Sequence, residues 1–152
     1  MIEKGKISQE PFIEILKTLE EAESANLVDW NAMNIASVDQ MSQPSSRMVL
    51  LKKISDDGLV FYTNYNSRKG KEIELNPKVA VNFWWRELKK QIRIEGFIEK
   101  ASEEDSDDYF NSRPLKSRVS AIISDQSSTI SSYEDLKKQI DKYLEQNDKS
   151  SI

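Results

Sequence analysis

The chain has 152 residues, of which 38% are hydrophobic and 32% charged, and its formal net charge is −4. This length suits one domain with its own core, and the acidic balance argues against general binding to nucleic acid, which needs a broad basic face. There is no Cys and no His, which excludes disulfides, thiolate nucleophiles, Cys/His zinc sites and His-dependent triads. We therefore expect no metal site, and chemistry that depends on a bound cofactor or on carboxylate, Lys, Arg and Tyr groups.

The sequence also carries no sign of a membrane segment. Its apolar runs are far shorter than the roughly 20 residues needed to span a bilayer. The N-terminal residues Met1-Ile2-Glu3-Lys4 are not followed by the hydrophobic stretch of a signal peptide. We expect a cytoplasmic protein that contacts neither membrane nor nucleic acid.

The first predicted element is a helix. Residues 1–10 resemble a loose arm, and Pro11 suits the first position of a helix. Apolar side chains then recur at helical spacing, which predicts an amphipathic helix over residues 11–25. The side chains on this apolar face are Phe12, Leu16, Leu19 and Ala22.

Between residues 31 and 100 the pattern is that of consecutive strands joined by short turns. The segment Ser55-Asp56-Asp57-Gly58 predicts a hairpin, because Asp and Gly accept the positive φ of tight turns. This series favours an antiparallel meander or a small closed barrel, mainly β with peripheral helices. The predicted strands cover residues 33–38, 46–54, 59–63, 79–85 and 91–98.

The chain changes to helix over residues 102–146. Ser102 and Ser132 each begin a capping-box pattern, and Pro114 ends the first of these helices. A short helix is predicted directly after Pro114, and a longer one after Ser132. Because the sequence shows neither a repeat nor a linker, we predict a single domain over residues 1–152.

Basic and hydroxyl side chains gather at strand ends and at one helix start in the middle of the chain. Arg47 and Lys52 flank an apolar strand, and Ser67 is predicted to cap a helix that starts with Arg68-Lys69 and ends at Leu75. The positive end of the helix dipole and the nearby cations favour a small anion such as phosphate. Solvated cations on a capped helix, or edge-strand charges that prevent aggregation, explain the same residues.

A second group of polar residues follows a helical spacing of four. Tyr109, Arg113 and Ser117 fall on one side of a helical segment, despite the break at Pro114. An Arg beside two hydroxyls can clamp a phosphate. An exposed helix face explains the spacing equally well, so the sequence alone leaves both interpretations open.

Two adjacent pairs have simpler explanations. Tyr62 and Thr63 place two hydroxyls at the end of a strand, where good β-propensity alone explains them. Trp84 and Trp85 can stack on a planar ligand, but a place in the barrel core or in an interface fits them better.

Several short motifs follow one another through most of the chain. They read Arg47-Met-Val-Leu-Leu-Lys52, Phe61-Tyr-Thr-Asn64, Ser67-Arg-Lys69, Asn76-Pro77, Gln91, Tyr109-Phe-Asn-Ser-Arg-Pro114, Ser117 and Gln126-Ser-Ser128. Their order and their apparently ungapped spacing resemble the pyridoxamine 5′-phosphate oxidase family. The resemblance runs from about Pro11 to Leu144, and its motifs are specific as a set although each is weak alone.

The resemblance implies an FMN-binding split β-barrel with FMN at a homodimer interface. It implies that the flavin accepts a hydride from the amine- or alcohol-bearing carbon of pyridoxamine or pyridoxine 5′-phosphate. Dioxygen then reoxidises the flavin, so the products are pyridoxal 5′-phosphate and hydrogen peroxide. The side chains position the reactants and neutralise charge while the cofactor carries the redox step, so no catalytic side chain is expected.

By the same resemblance, particular residues acquire expected roles. The expected FMN contacts are Arg47, Met48, Val49, Leu50, Leu51, Lys52, Tyr62, Thr63, Ser67, Arg68, Lys69, Gln91, Gln126 and Ser127. The expected substrate contacts are Lys52, Tyr109, Arg113 and Ser117. Lys52 belongs to both sets because the family places this side chain where cofactor and substrate meet.

The chain departs from the family pattern at its C-terminal end. The family continues past the last helix into a segment that brings a Trp and an Arg to FMN and an Arg-x-His element to the substrate. This sequence ends at Ile152 and contains no His. We therefore expect a nearly complete FMN set and only part of the substrate set. The open functions are the oxidase, a flavin-dependent reductase or oxidase of another substrate, and a non-catalytic FMN-binding protein.

Overall fold

The structure, a computed structural model, describes residues 2–124 and 131–147, and residues 103–105 by their backbone alone. The chain divides into two compact units. The first unit comprises Met1–Tyr62 and Glu72–Glu99, and the second comprises Thr63–Lys71 and Lys100–Ile152.

The described residues form seven strands and five helices. In chain order these are β1 (Glu3–Lys4), α1 (Glu10–Ser24), β2 (Ala32–Val38), β3 (Pro44–Leu50), β4 (Lys53–Ser55), β5 (Gly58–Val60), α2 (Arg68–Leu75), β6 (Lys78–Trp85), β7 (Lys90–Phe97), α3 (Glu103–Ser112), α4 (Leu115–Ile123) and α5 (Tyr133–Gln146). All seven strands belong to the first unit.

The strands form two sheets within the first unit. One has four antiparallel strands in the order β3-β2-β6-β7, and the other has three in the order β1-β4-β5. The core between them is apolar because alternate residues of each strand face inward, as Met33, Ile35, Phe83 and Trp85 do. This architecture is the mainly β split barrel with helices that the resemblance implied.

Helix α1 closes part of this core. Its buried residues are Ile15, Leu19 and Ala22, and Phe12 and Leu16 pack against them at partial burial. The predicted amphipathic helix is therefore confirmed to within one residue at each end. The predicted hairpin is also confirmed, with Ser55 paired to Gly58, whose φ is +143°.

The loose arm predicted for residues 1–10 is wrong at its beginning. Glu3 donates its N–H to the Lys52 carbonyl at 2.7 Å, and β1 runs parallel to β4. Ile2 is only 4% exposed and belongs to the core. One buried side chain and two paired residues are too short a pattern to stand out in a sequence, although burial and backbone bonding together order the segment.

The strand predicted over residues 46–54 is two strands in different sheets. After β3 ends at Leu50, the N–H of Leu51 donates to the Asn31 carbonyl at 2.9 Å, and that of Lys52 donates to the Val60 carbonyl at 2.8 Å. The chain thus passes from the four-stranded to the three-stranded sheet at this point. Leu51 is completely buried there.

The helices predicted after residue 102 are present in the second unit as α3, α4 and α5. Ser132 caps α5 by accepting the Asp135 N–H at 3.1 Å, and Val119 of α4 is fully buried. Within residues 2–124 and 131–147, no helix is long and apolar enough to cross a membrane. The same residues contain no group of three Asp or Glu side chains placed to hold a metal ion.

Candidate functional site

Arg47 lies in a polar cluster on the inner face of the four-stranded sheet. Across β2 and β3, Arg47 pairs with Ile35 and Ser45 pairs with Ser37, so both serines flank the guanidinium. Nη1 of Arg47 donates to Ser37 Oγ at 2.6 Å, and Nη2 donates to Ser45 Oγ at 2.5 Å. The strand register therefore fixes two of the acceptors of this guanidinium.

Glu72 of α2 completes the cluster. Its Oε2 atom lies 3.1 Å from Arg47 Nη2 and accepts the hydroxyl protons of Ser37 at 2.5 Å and Ser45 at 2.7 Å. Each serine hydroxyl thus accepts from the cation and donates to the carboxylate, so both of its hydrogen-bonding functions are used. A buried carboxylate needs such partners because its desolvation is otherwise costly. The Glu72 side chain is 5% exposed, whereas that of Arg47 is 21% exposed.

The start of α2 brings a second set of predicted residues together, within the second unit. Ser67 Oγ accepts the Gly70 N–H at 3.3 Å and donates to the Asn64 carbonyl at 2.6 Å, which confirms the predicted cap. The Lys69 ammonium lies 3.2 Å from the same Oγ, and Lys69 is only 8% exposed. A largely desolvated cation at the positive end of a helix dipole suits a phosphate, and the Ser67 hydroxyl, whose proton goes to Asn64, supports the helix start.

A glycine is required in this helix start. A β-carbon on Gly70 would lie 2.1 Å from the Tyr65 carbonyl oxygen and 2.7 Å from its carbonyl carbon. The turn and the first helical residues therefore approach each other more closely than any side chain allows. This contact fixes the path of the chain from Tyr65 to Gly70.

The apolar motif that precedes Lys52 alternates between the two faces of β3. Met48 and Leu50 are 61% and 43% exposed, while Val49 packs against the core. Lys52 itself is half-buried at the crossing between the sheets. Its position in that crossing follows from the backbone hydrogen bond to Val60.

Tyr62 and Thr63 are half-buried and follow β5 in irregular structure rather than ending a strand. Tyr62 is the last residue of the first segment of unit one, and Thr63 begins unit two. Gln91 lies on the outward face of β7, where its Nε2 donates to Asn82 Oδ1 at 2.7 Å. This contact directs the amide of Gln91.

Tyr109, Arg113 and Ser117, the polar residues spaced four apart, all lie in the second unit, and the first two of them are in contact. The Arg113 guanidinium carbon lies 6.0 Å from the centre of the Tyr109 ring, a cation–π distance. Arg113 stands in the break between α3 and α4, and Ser117 donates its N–H to the Pro114 carbonyl at 2.8 Å in the first turn of α4. All three side chains are half-buried.

The two tryptophans have different environments. Trp85 is 4% exposed, stacks on Phe83 with ring centres 5.2 Å apart, and donates Nε1–H to the Trp30 carbonyl at 2.7 Å. Trp84 is 58% exposed on the opposite face of β6. Trp85 is therefore a core residue, as preferred from the sequence.

The expected ligand residues divide between the two units. The first unit holds Arg47, Met48, Val49, Leu50, Leu51, Lys52, Tyr62 and Gln91, and the second holds Thr63, Ser67, Arg68, Lys69, Tyr109, Arg113 and Ser117. Gln126 and Ser127 lie outside the described residues. The contact roles of all these residues remain predictions, whereas the pairings of Ser67 with Lys69 and of Tyr109 with Arg113 are features of the structure.

Sequence reasoning missed four polar residues around the predicted ligands: Ser37, Ser45, Glu72 and Asn82. One signal was available for Ser37, because it continues the inward positions of Met33 and Ile35 with a polar side chain. A hydroxyl at an inward strand position needs a hydrogen-bonding partner. The identity of that partner depends on the tertiary structure.

Comparison with known proteins agrees with the motifs. A family model described as pyridoxamine 5′-phosphate oxidase matches residues 19–147. A pyridoxine/pyridoxamine 5′-phosphate oxidase from Nostoc sp. is 49% identical over 138 residues, which are 91% of this chain and 64% of that protein. The protein of the same name from Burkholderia thailandensis is 47% identical over 131 residues, 86% of this chain and 61% of that protein. The chain thus spans somewhat less than two thirds of the length of these relatives.

Solved structures show the same fold. PhzG from Burkholderia lata 383, in complex with tetrahydrophenazine-1-carboxylic acid, matches with a TM-score of 0.84 at 26% identity, covering 89% of this chain and 67% of that one. A pyridoxamine 5′-phosphate oxidase-related, FMN-binding protein from Nostoc punctiforme matches with a TM-score of 0.57 at 20% identity, covering 70% and 60%. The latter likeness concerns the fold alone.

The family match extends from the second half of α1 to the end of α5. It includes the Arg47 cluster, the Ser67-Lys69 helix start and the Tyr109-Arg113 pair. The chain belongs to the pyridoxamine 5′-phosphate oxidase family.

Proposed function

We propose that this chain binds FMN and oxidises pyridoxamine or pyridoxine 5′-phosphate to pyridoxal 5′-phosphate with dioxygen. The observation that carries this proposal is the start of α2, where the desolvated Lys69 ammonium lies beside the capping hydroxyl of Ser67. Family membership and 49% identity to a protein named for this activity support the same function.

The FMN phosphate is held by cations and hydroxyls of this chain. Ser67, Arg68 and Lys69 bind it at the helix start, and Arg47 contributes its guanidinium from β3. The apolar residues between Arg47 and Lys52 and the polar residues Tyr62, Thr63, Gln91, Gln126 and Ser127 line the rest of the cofactor site. When bound, FMN supplies the hydride acceptor and the reaction with dioxygen.

The substrate is held mainly through its phosphate. Arg113 and the hydroxyls of Tyr109 and Ser117 bind the phosphate oxygens, with the ring of Tyr109 restraining the guanidinium at 6.0 Å. Lys52 contacts substrate and cofactor together. These residues would hold the substrate in the same complex as the cofactor, which removes the entropic cost of bringing the two together.

The active form is a homodimer. Three large apolar side chains are exposed on the outer face of the four-stranded sheet, Met48 at 61%, Leu50 at 43% and Trp84 at 58%. Exposed apolar side chains on one sheet face suit a self-complementary interface. Light scattering coupled to gel filtration tests it: Trp84→Arg should yield monomers, and a wild type that elutes as a monomer would contradict the dimer.

The absorption spectrum of the purified protein and an oxidase assay test the function. A flavin spectrum, with pyridoxal 5′-phosphate and hydrogen peroxide formed in equal amounts under air, supports the proposal. Flavin binding without aldehyde formation from either substrate contradicts the oxidase function and leaves FMN binding supported.

A second function is a flavin-dependent oxidase or reductase of another substrate. The specific observation in its favour is the TM-score of 0.84 with PhzG, whose structure contains tetrahydrophenazine-1-carboxylic acid. Oxidation of a dihydro- or tetrahydro-aromatic carboxylic acid, with no turnover of pyridoxine-type phosphates, would favour this alternative. Tight FMN binding with no turnover in either assay would favour a binding protein.

A further inference from the structure

Glu72 is a buried carboxylate that faces the guanidinium of Arg47. The residue is 4% exposed, and its Oε2 atom receives three donors: Ser37 Oγ at 2.5 Å, Ser45 Oγ at 2.7 Å and Arg47 Nη2 at 3.1 Å. Burial of a carboxylate is unfavourable unless such contacts compensate for lost hydration. We therefore ask what Glu72 does for the side chains that it binds.

The cluster restrains the guanidinium from two directions. Nη1 donates to Ser37 Oγ and to the Ile35 carbonyl at 3.4 Å, and Nη2 donates to Ser45 Oγ and to Glu72 Oε2. Both hydroxyls also donate to the carboxylate, so Glu72 fixes the orientation of the two serines that in turn accept from Arg47. Loss of the carboxylate removes one direct contact and frees the two bridging hydroxyls.

The Glu72 end of this cluster is closed to solvent, whereas the Arg47 end is partly open to it. The Glu72 side chain is 5% exposed, whereas 21% of the Arg47 side chain remains accessible. We propose that Glu72 is a positioning residue, which holds the Arg47 guanidinium in the orientation from which it binds the phosphate of FMN. This inference rests on the proposed binding of FMN.

Two effects of Glu72 on phosphate binding oppose each other. Its negative charge repels a phosphate, so the loss of that charge alone would tighten FMN binding. Its hydrogen bonds remove the rotamer freedom of a long side chain before the ligand arrives, so their loss weakens binding. The effect on orientation outweighs the repulsion. Glu72 holds Arg47 directly and through the hydroxyls of Ser37 and Ser45, while its negative charge is offset by the guanidinium 3.1 Å away.

Titration of the apoprotein with FMN and with riboflavin, followed by flavin fluorescence, tests this role. Riboflavin has no phosphate, so it reports on the rest of the flavin site. Glu72→Ala should weaken FMN binding about tenfold or more, as loss of charged hydrogen bonds implies, and leave riboflavin binding unchanged. Glu72→Gln retains an acceptor oxygen and should remain within about threefold of the wild type. Glu74→Ala, at an exposed position of the same helix, is the matched control.

A double-mutant cycle with Arg47→Ala separates positioning from general damage to the fold. Glu72→Ala should have no further effect on FMN binding when Arg47 is already absent. Equal losses in both backgrounds, an equal loss of riboflavin affinity, or a Glu72→Gln variant as weak as Glu72→Ala would each overturn the inference. An unchanged or tighter affinity of Glu72→Ala for FMN would overturn it as well.

A second variant covers the case in which Glu72→Ala does not fold. The double variant Ser37→Ala/Ser45→Ala removes the bridging hydroxyls and keeps the carboxylate, and it should also weaken FMN selectively over riboflavin. No selective loss in this variant would overturn the inference. If the wild type itself fails to bind FMN, the proposed function fails too, which distinguishes that result from a failure of Glu72 alone.

Discussion

Asp56 accepts two hydrogen bonds from Ser8, one from its backbone N–H at 2.9 Å and one from its hydroxyl at 2.6 Å. It also accepts the Gln9 N–H at 3.0 Å, immediately before α1 begins. A carboxylate from the β4–β5 turn thus binds the two residues that precede α1, which lie 48 and 47 positions earlier in the chain. The turn and the first helix are linked by this one side chain.

The first prediction concerns pH. The hydroxyl and N–H of Ser8 hold the pKa of the Asp56 carboxyl below its usual range. A pKa lowered by folding gives stability that is present above the unfolded value, about 3.9, and is lost as pH falls through the folded value. Asp56→Asn should therefore lower the melting temperature at pH 7, and the gap to the wild type should narrow as the pH falls below about 4.

Thermal melts followed by circular dichroism between pH 7 and pH 3 measure this gap. Asp57→Asn, at the exposed neighbouring position, is the control and should melt like the wild type. A gap that stays constant over the whole pH range would show that the charge of Asp56 does not contribute.

The second prediction concerns the close contact of Gly70 with Tyr65. A β-carbon at Gly70 would lie 2.1 Å from a backbone oxygen, which no side-chain rotation relieves. Gly70→Ala should destabilise the protein by about 1–3 kcal/mol and weaken FMN binding, since the helix start must shift. Urea denaturation and flavin titration give the two values.

Gly96→Ala is the matched control for this substitution. Among the described residues, nothing lies within 4 Å of a β-carbon built on Gly96. It should change stability by less than about 0.5 kcal/mol and leave FMN affinity as it is. Equal effects of the two substitutions would mean that the Tyr65 contact is not the cause.

The third prediction separates the two adjacent tryptophans. Trp85→Phe removes the Nε1–H donor to the Trp30 carbonyl and leaves that partner without its protein hydrogen bond. We expect a loss of about 1–3 kcal/mol in the free energy of unfolding. Trp84→Phe, at a position 58% exposed in the single chain, keeps an aromatic ring for the proposed dimer interface and should cost less than Trp85→Phe. Chemical denaturation of both variants tests the difference, and similar losses would argue against a core role specific to Trp85.

Local patterns predicted those parts of the fold that depend on local physics. The apolar face of α1, the turn from Ser55 to Gly58 and the serine caps at Ser67 and Ser132 are all found at the predicted positions. Periodicity and capping act over a few residues, so a sequence displays them directly. The order of motifs then identified the family.

Features set by distant partners were not predictable in this way. The chain changes sheets between Leu50 and Lys53 because Asn31 and Val60 receive its N–H groups, and neither partner is evident from the local pattern. Glu72 meets Arg47 from 25 residues away, so the motif showed the guanidinium but not the carboxylate that restrains it. Each case depends on tertiary contacts that override an unbroken local pattern.

The last prediction concerns substrate recognition at Arg113. Its guanidinium lies against the Tyr109 ring at 6.0 Å, and we propose that it binds the substrate phosphate. Arg113→Ala should raise KM for pyridoxine 5′-phosphate about ten- to a hundredfold and leave the FMN dissociation constant unchanged, because only the substrate's phosphate loses its charged partner. Arg113→Lys should have a KM between those of the wild type and Arg113→Ala, since an ammonium keeps the charge without the bidentate geometry. Unphosphorylated pyridoxine provides the control, because its turnover should not respond to either substitution. A parallel rise in KM for pyridoxine, or a loss of FMN affinity, would place Arg113 outside the phosphate site.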